Sequence, residues 1–146
     1  MARKTPSLRI ALPAAIAALV LALAPSAVAA KGGGHGGSTG TGGGTISLAL
    51  INSTDGLAHY GQKVTFAVST TATTQPWVTL ECFQGSLVYK ASNGIFATSL
   101  NQIFTLSSLA WRGGAADCTA YLENWDSYAK RGAIQRLAST SFHVEP

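Results

Sequence analysis

Beyond residue 45, apolar side chains recur at every second position, and this alternation constrains the fold more than any other feature of the sequence. In one segment, for example, Val64, Phe66 and Val68 alternate with Lys63, Thr65 and a small residue. A period of two places successive side chains on opposite faces of a β-strand. The pattern predicts strands over residues 46–50, 63–68, 77–83, 86–90, 102–106, 116–123 and about 133–144.

Turn-forming residues separate these segments. Residues 52–56, 84–85, 92–94 and 112–114 are rich in Gly, Asn, Asp and Ser, which favour tight turns. No segment of the domain shows the 3.6-residue apolar period of a capped amphipathic helix. We therefore predict an all-β domain, a sandwich of about seven to eight antiparallel strands in which each sheet buries one face.

The first 30 residues are typical of a secretory signal peptide. Three basic residues and no acidic residue precede an apolar run over residues 10–23, and small residues follow at 27–30. Cleavage after Ala29 or after Ala30 fits this pattern. A retained membrane anchor is the alternative, but the run is shorter than the roughly 20 residues that a spanning helix needs. We expect a secreted or cell-surface protein with no membrane span after cleavage.

Residues 31–44 form a glycine-rich segment in which nine of fourteen residues are glycine. Such a composition cannot bury a core and predicts a flexible spacer. It contains G-x-G-x-x-G and G-x-S-x-G strings by chance, because neither has the preceding strand and following helix that those motifs require. Residues 45–146 remain as one domain.

The net charge argues against nucleic-acid binding. The whole chain has a formal charge of +4, but three of its ten basic residues and none of its six acidic residues lie in the signal. The processed chain would have a formal charge of +1, with Lys130-Arg131 as its one adjacent basic pair. Nucleic-acid binding requires clustered Lys and Arg to replace phosphate counterions.

The sequence contains two cysteines, Cys82 and Cys118, which are separated by 36 residues. An even number of cysteines in an exported chain predicts a disulfide. The paired spacing of a zinc site and the basic or histidine neighbours of a reactive thiol are both missing. We therefore expect a structural bridge and no metal.

Three segments resemble the immunoglobulin-like domains of bacterial exported and cell-surface proteins. Residues 61–66, GQKVTF, are similar to the second-strand pattern G-x-x-V-T-F. Trp77 opens the third predicted strand, near the position of the core tryptophan in such domains. Residues 114–120, GAADCTA, resemble the sixth-strand segment that ends in Y-x-C-x-A. The resemblance spans roughly residues 45–144 and implies an immunoglobulin-like β-sandwich.

The chain departs from that family at two positions. Ala116 stands where the family has the tyrosine two residues before the cysteine. Cys82 lies on the third predicted strand rather than the second, so a bridge to Cys118 would join the third and sixth strands. These strands are neighbours in one sheet of the immunoglobulin layout. The resemblance therefore implies a cross-strand bridge within a sheet.

The sequence offers no convincing catalytic centre. His59 with Asp55 is the one close candidate pair for catalysis, and these residues fall in a predicted loop. A hydrolase needs a nucleophile, a base and an orienting group held together. Glu81, Asp117 and Glu123 are expected to point outward from neighbouring strands. We predict a protein without enzymatic activity or cofactor.

The candidate functional surface is aromatic. If the third and sixth strands are neighbours, Trp77, Phe83 and Tyr121 share one solvated sheet face, and the segment after it adds Trp125 and Tyr128. Exposed aromatic residues beside polar groups are typical of recognition surfaces. We predict a binding or adhesion module for an extracellular protein or glycan, with Trp125 and Tyr128 as anchors.

Other interpretations of these residues are open. Trp77 could be the core tryptophan, Phe83 could cover a sheet edge, and Trp125 with Tyr128 could fold back over the sandwich. A small-ligand carrier, similar to exported chromophore-binding immunoglobulin-like proteins, would have a concave pocket between the fourth strand and residues 124–132. A secreted protease inhibitor would use residues 124–132 as its reactive segment. Asn52-Ser53-Thr54 fits an N-glycosylation acceptor or a plain turn.

Overall fold

The computed structural model describes residues 43–126 and 133–146, which form eight β-strands. The predicted signal peptide and nearly all of the predicted spacer lie outside these residues. The strands are β1 (Gly44–Leu50), β2 (Ala58–His59), β3 (Lys63–Thr70), β4 (Trp77–Gln84), β5 (Ser86–Gly94), β6 (Phe104–Thr105), β7 (Ala116–Asn124) and β8 (Gln135–Glu145).

The strands are arranged in two sheets. One sheet has three strands in the order β1-β3-β6, and the other has five in the order β2-β8-β7-β4-β5. The pairs are antiparallel, as predicted, except that the short strand β2 pairs with β8 in parallel. The all-β class and the presence of about eight strands are therefore confirmed, and the parallel pair is an addition to the prediction.

The core lies between the two sheets and follows the predicted alternation. Val78, Leu80 and Cys82 are buried along β4, and the even-numbered residues from Ala116 to Leu122 are buried along β7. Phe66 of the smaller sheet packs edge-on against Phe104, with ring centroids 5.4 Å apart, and lies 6.3 Å from the ring of Phe142 in the larger sheet. These rings pack the two sheets against each other.

The disulfide joins Cys82 to Cys118, as predicted. The two residues are direct partners in the antiparallel pairing of β4 with β7, and both are fully buried on the core side of the sheet. The bridge therefore links neighbouring strands of one sheet. In the chain-entropy model, closing the 36-residue loop is worth about 4 kcal/mol.

The buried tryptophan of the core is Trp111, not Trp77. Trp111 lies between β6 and β7, is fully buried, and donates a hydrogen bond from Nε1 to the Gly114 carbonyl at 3.1 Å. The ring of Tyr60 packs edge-on against it at 5.3 Å, and the Tyr60 hydroxyl donates to the Trp111 carbonyl. Trp77 lies on the outer face of the larger sheet, so the core position implied by the family resemblance is not taken by Trp77.

Several predicted boundaries differ from the structure. Residues 92–94, which were predicted as a turn, continue β5, because Ser92, Asn93 and Gly94 pair with Thr79, Val78 and Trp77 of β4. The predicted strand over residues 102–106 is reduced to two residues, and β8 begins at Gln135. The tight turn at Gly85 is confirmed: its φ of +75° is a conformation that favours glycine.

Candidate functional site

The outer face of the five-stranded sheet carries a groove of about 490 Å³. Its floor and walls come from β4, β5, β7 and β8 and from the residues that flank β7 and β8. The lining residues are Thr79, Glu81, Lys90, Ser92, Glu123, Trp125, Ile134 and Arg136. We call this surface the outer groove.

Strand register brings the polar residues of the outer groove together. Thr79 is the direct partner of Ser92, and Glu81 is the direct partner of Lys90, in the pairing of β4 with β5. Glu123 is opposite Arg136 in the pairing of β7 with β8. Directly opposed side chains on one face of an antiparallel pair have Cβ atoms about 4.5–5.5 Å apart. The backbone pairing therefore fixes which groups face the groove.

Glu123 is the centre of a hydrogen-bond network in the floor. Only 6% of its side chain is exposed, and its Oε2 accepts hydrogen bonds from Thr79 Oγ1 at 2.7 Å and from Trp125 Nε1 at 3.0 Å. Thr79 Oγ1 also lies 2.7 Å from Ser92 Oγ. A hydroxyl has a single hydrogen to donate, so Ser92 donates to Thr79, which donates to Glu123. The lone pairs of Ser92 remain as acceptors.

The exposed charges of the outer groove are cationic. The side chains of Lys90 and Arg136 are 57% and 59% exposed, whereas 15% of the Glu81 side chain is exposed. Lys90 Nζ lies 2.7 Å from Glu81 Oε1, and this hydrogen bond raises the pKa of Lys90. The acids lie in the floor, and the amino and guanidinium groups reach the solvent.

Arg136 is held in place by the ring of Tyr121. The guanidinium carbon lies 3.8 Å from the centroid of that ring, a cation–π geometry. Its Nε lies 3.7 Å from Glu123 Oε1, which is too long for a hydrogen bond but close enough for electrostatic attraction. Tyr121 therefore supports Arg136 from below and is not itself the wall of the groove.

Trp125 forms one wall of the outer groove. Its ring stacks on Trp77, with centroids 4.7 Å apart and planes 16° from parallel, and 37% of its surface remains exposed. The residues on either side of it are anchored to the loop between β3 and β4: Asn124 Nδ2 donates to the Ala72 carbonyl, and Asp126 Oδ2 accepts from Thr73 Oγ1. The indole is therefore held by stacking, by its bond to Glu123 and by its neighbours in the chain.

The structure brings some of the predicted site residues together and separates others. Trp77, Tyr121 and Trp125 lie in or beside the outer groove, Trp77 beneath Trp125. Phe83 is exposed on the same face, but six positions along β4 from Trp77, about 20 Å away at the rise of a strand. Tyr128 lies outside the described residues.

Several groove residues are not predicted from the sequence as site residues. These are Lys90, Ser92, Ile134 and Arg136, together with Thr79, for which the sequence predicts the correct face but no function. Ser92 was missed because residues 92–94 have turn composition. Strand alternation alone would place Lys90 and Ser92 on the same face as the buried Val88. A register shift in the pairing of β4 with β5, between Cys82 and Phe83, leaves Val88 without a direct partner and turns Lys90 and Ser92 to the outer face.

A second, shallower depression of about 280 Å³ surrounds His59 and Asp55. His59 Nε2 lies 2.7 Å from Asp55 Oδ2, and both side chains are exposed. The pKa of Asp55 falls to about 2, chiefly because it accepts a hydrogen bond from the Leu57 amide, and the bond to Asp55 raises the pKa of His59. Ser53 Oγ lies 3.0 Å from Asp55 Oδ1. The carboxylate thus lies between the hydroxyl and the imidazole, which is not the order of a nucleophile activated by a base.

The described residues show no group of three or more His, Cys, Asp or Glu that could hold a metal ion. Over residues 43–126 and 133–146, no helix has the length and apolar character needed to cross a membrane. Comparison with protein-family models, with curated proteins and with solved structures finds no significant match to this chain. Its function must therefore be argued from the geometry of the site.

Proposed function

We propose that this protein is a secreted or cell-surface binding module without catalytic activity, and that it recognises a glycan through the outer groove. The observation that carries the proposal is Trp125, a partly exposed indole fixed beside hydroxyl and charged groups on a rigid sheet. Aromatic residues offer contact area at low cost in conformational entropy, and polar neighbours orient the ligand. A protein partner is the other extracellular ligand consistent with such a surface.

The strand order supports an immunoglobulin-like sandwich. The order β8-β7-β4-β5 matches the strands G-F-C-C′ of a variable-type domain, and β1-β3-β6 matches A-B-E. The bridge between β4 and β7 then joins strands C and F, not B and F. Recognition by a sheet face on such a scaffold requires no movement of the backbone, because every strand under the groove is paired with a neighbour.

The disulfide supports export, because structural disulfides persist in oxidising compartments. Its two sulfurs are buried in the core, where they have no access to a metal or a substrate. Together with the signal-like first 30 residues, this favours a protein that folds outside the cytoplasm.

Glycan-array screening of the protein secreted from the full-length gene tests the proposal. Trp125→Ala should abolish binding to the glycans that the native protein binds on the array. Phe83→Ala is the matched control, since it removes an exposed aromatic side chain from the same face of the sheet but outside the groove. Equal binding by Trp125→Ala and the native protein would exclude the outer groove as the glycan site.

The concavity of the outer groove favours a second candidate, a carrier of a small ligand. The carrier hypothesis predicts a pocket between the fourth predicted strand, which is β5 in the structure, and residues 124–132. The groove lies beside β5 and Trp125, close to that position. Native mass spectrometry of the protein purified from culture medium should then detect an added mass that Trp125→Ala loses. The inhibitor hypothesis depends on residues 124–132, which lie mostly outside the described residues.

A further inference from the structure

We infer that the glycan bound in the outer groove is acidic, a saccharide that carries carboxylate or sulfate groups. The inference rests on the proposed function and specifies the ligand class of that same site. It depends on the groups in the groove that remain available to a ligand after the protein's own contacts are satisfied.

The acidic groups of the groove are already engaged. Glu123 accepts from Thr79 and Trp125 and faces Arg136, and Glu81 accepts from Lys90. Both acids lie in the floor, with 6% and 15% of their side chains exposed. A basic ligand would have to displace these partners to reach either carboxylate.

The basic groups keep donors for a ligand. Lys90 has three N–H donors and engages Glu81 alone among the described residues. Arg136 has five N–H donors, and its closest acidic contact, at 3.7 Å, is longer than a hydrogen bond. The guanidinium carbon lies 3.8 Å from the centroid of the Tyr121 ring, a contact that restricts its position, and the guanidinium fork matches a carboxylate or a sulfate in bidentate geometry.

The remaining groups fit a sugar rather than a simple anion. Ser92 donates its one hydrogen to Thr79, so the lone pairs of its oxygen can accept a hydrogen bond from a sugar hydroxyl. Trp125 offers an apolar ring surface for the C–H face of a pyranose. The groove volume of about 490 Å³ lies within the range of about 300–1,000 Å³ that is usual for ligand sites. The ligand that matches these groups is anionic, hydroxylated and partly apolar. An acidic saccharide has all three properties.

Binding measurements on the full secreted protein test this inference with four polymers. Polygalacturonate carries carboxylates, dextran sulfate carries sulfates, dextran is neutral, and poly-L-glutamate is an anionic polymer without sugar. We expect binding to polygalacturonate, to dextran sulfate or to both. The stronger of these identifies the acidic group. Dextran and poly-L-glutamate should each bind at least about tenfold more weakly, since each lacks one part of the recognised chemistry.

Arg136→Gln and Lys90→Gln should each weaken binding to the acidic glycan by about tenfold or more, the effect of losing a charge-assisted hydrogen bond. Arg112→Gln and Lys63→Gln are the matched controls, because they remove the same charges from exposed positions outside the groove. Lys90→Gln leaves the Glu123 network intact, so its effect remains interpretable even if Arg136→Gln fails to fold.

Three results would overturn the inference. The first is dextran binding as tightly as the acidic polymers, which would leave the proposed glycan module in place but remove its preference for acid. The second is an equal loss of affinity in the groove and control variants, and the third is equal binding of poly-L-glutamate; both would indicate unspecific attraction of polyanions. Failure to bind any glycan on the array would instead remove the proposed function itself.

Discussion

The indole rings of Trp77 and Trp125 stack 4.7 Å apart at an angle of 16°. Trp77 begins β4, and its ring centroid lies 6.2 Å from that of Phe96, which belongs to the chain that follows β5, with the two planes 62° apart. The position of Trp125 is therefore set by the sheet beneath it as well as by its own segment.

Removing Trp77 should loosen Trp125 without unfolding the domain. Stacked aromatic pairs are worth about 0.5–1.5 kcal/mol beyond the area they bury, so Trp77→Ala should leave a folded protein. Near-ultraviolet circular dichroism should lose the signal of two coupled indoles. Phe83→Ala, which changes another aromatic of the same strand, should keep that signal. An unchanged spectrum in Trp77→Ala would show that the two rings are not coupled in solution.

Glu123→Gln should destabilise the domain in either orientation of the amide. Its NH2 group faces either Thr79 and Trp125, which both require an acceptor, or the guanidinium of Arg136, which loses its acidic neighbour. Leaving a buried hydrogen-bonding group without its partner costs about 1–3 kcal/mol. The measurement is the free energy of unfolding in urea. Asp117→Asn is the control on the same strand face: the contact of Asp117 with His143, 2.8 Å from Oδ1 to Nδ1, is an exposed pair, so its substitution should change stability by less than about 1 kcal/mol. Equal effects at the two positions would contradict the network.

Replacing both cysteines with alanine should lower the free energy of unfolding by about 4 kcal/mol, chiefly because the unfolded chain regains the freedom of a 36-residue loop. Urea denaturation of the double variant measures this loss. The native protein treated with a reductant under unfolding conditions should refold to a similar reduced stability. Equal urea midpoints for the disulfide-bonded protein and the double variant would contradict a stabilising role of the disulfide.

Trp111→Ala should be far more damaging than Trp125→Ala. Truncating a fully buried aromatic typically costs about 3–5 kcal/mol, and Trp111 also donates to the Gly114 carbonyl. Trp125→Ala removes a partly exposed ring and should cost less than Trp111→Ala, because part of the Trp125 ring is already in solvent and Glu123 keeps its hydrogen bond from Thr79. Thermal or urea unfolding of the two variants distinguishes them. A reversed order would show that Trp125, not Trp111, belongs to the core.

The pair of His59 and Asp55 should stabilise the protein only within a window of pH. The pKa of His59 is raised, so its contribution is complete below about 6.5, the ordinary histidine value, and is lost as the pH rises through the folded value. The pKa of Asp55 is lowered to about 2, so its contribution is present above 3.8, the ordinary aspartate value, and is lost as the pH falls toward 2. The window therefore extends from roughly pH 4 to the raised pKa of His59.

Nuclear magnetic resonance titration of the His59 ring tests that pair. In Asp55→Asn, the pKa of His59 should fall toward its ordinary value, because the hydrogen bond that raises it is weakened. Asp126→Asn, which changes an exposed aspartate beside Trp125, should leave the titration of His59 unchanged. A titration of His59 that is the same in Asp55→Asn would refute the pairing.

The larger elements of this fold could be predicted from the sequence because burial and alternation coincide. In β7, every predicted inward residue from Ala116 to Leu122 is buried, and in β8 the same holds from Ala138 to Val144. The bridge followed from cysteine count and compartment. The strand β2 was not predictable in this way, since two residues cannot display a period, and its parallel pairing depends on the path of the whole chain.

Two features of the site also depended on tertiary structure. Trp111 lies in a segment without alternation, so no local pattern marks it as buried, and the family resemblance points to Trp77 instead. Glu123 was predicted to point outward, which is correct for its face, but it is buried there by Trp125 and Arg136. Burial on the outer face of a sheet comes from side chains that fold over it, and strand periodicity carries no information about them.

Apart from Thr79 and Glu123, which are buried on the outer face, the alternation of β4 and β7 separates two sets of residues that evolution or a protein engineer can change independently. Positions such as Leu80 and Leu122 determine whether the chain folds, while the intervening positions Glu81 and Thr119 face solvent or the groove. A library that randomises Lys90, Ser92 and Arg136 would therefore sample new binding preferences on an unaltered scaffold. The same frame could serve relatives with unrelated ligands.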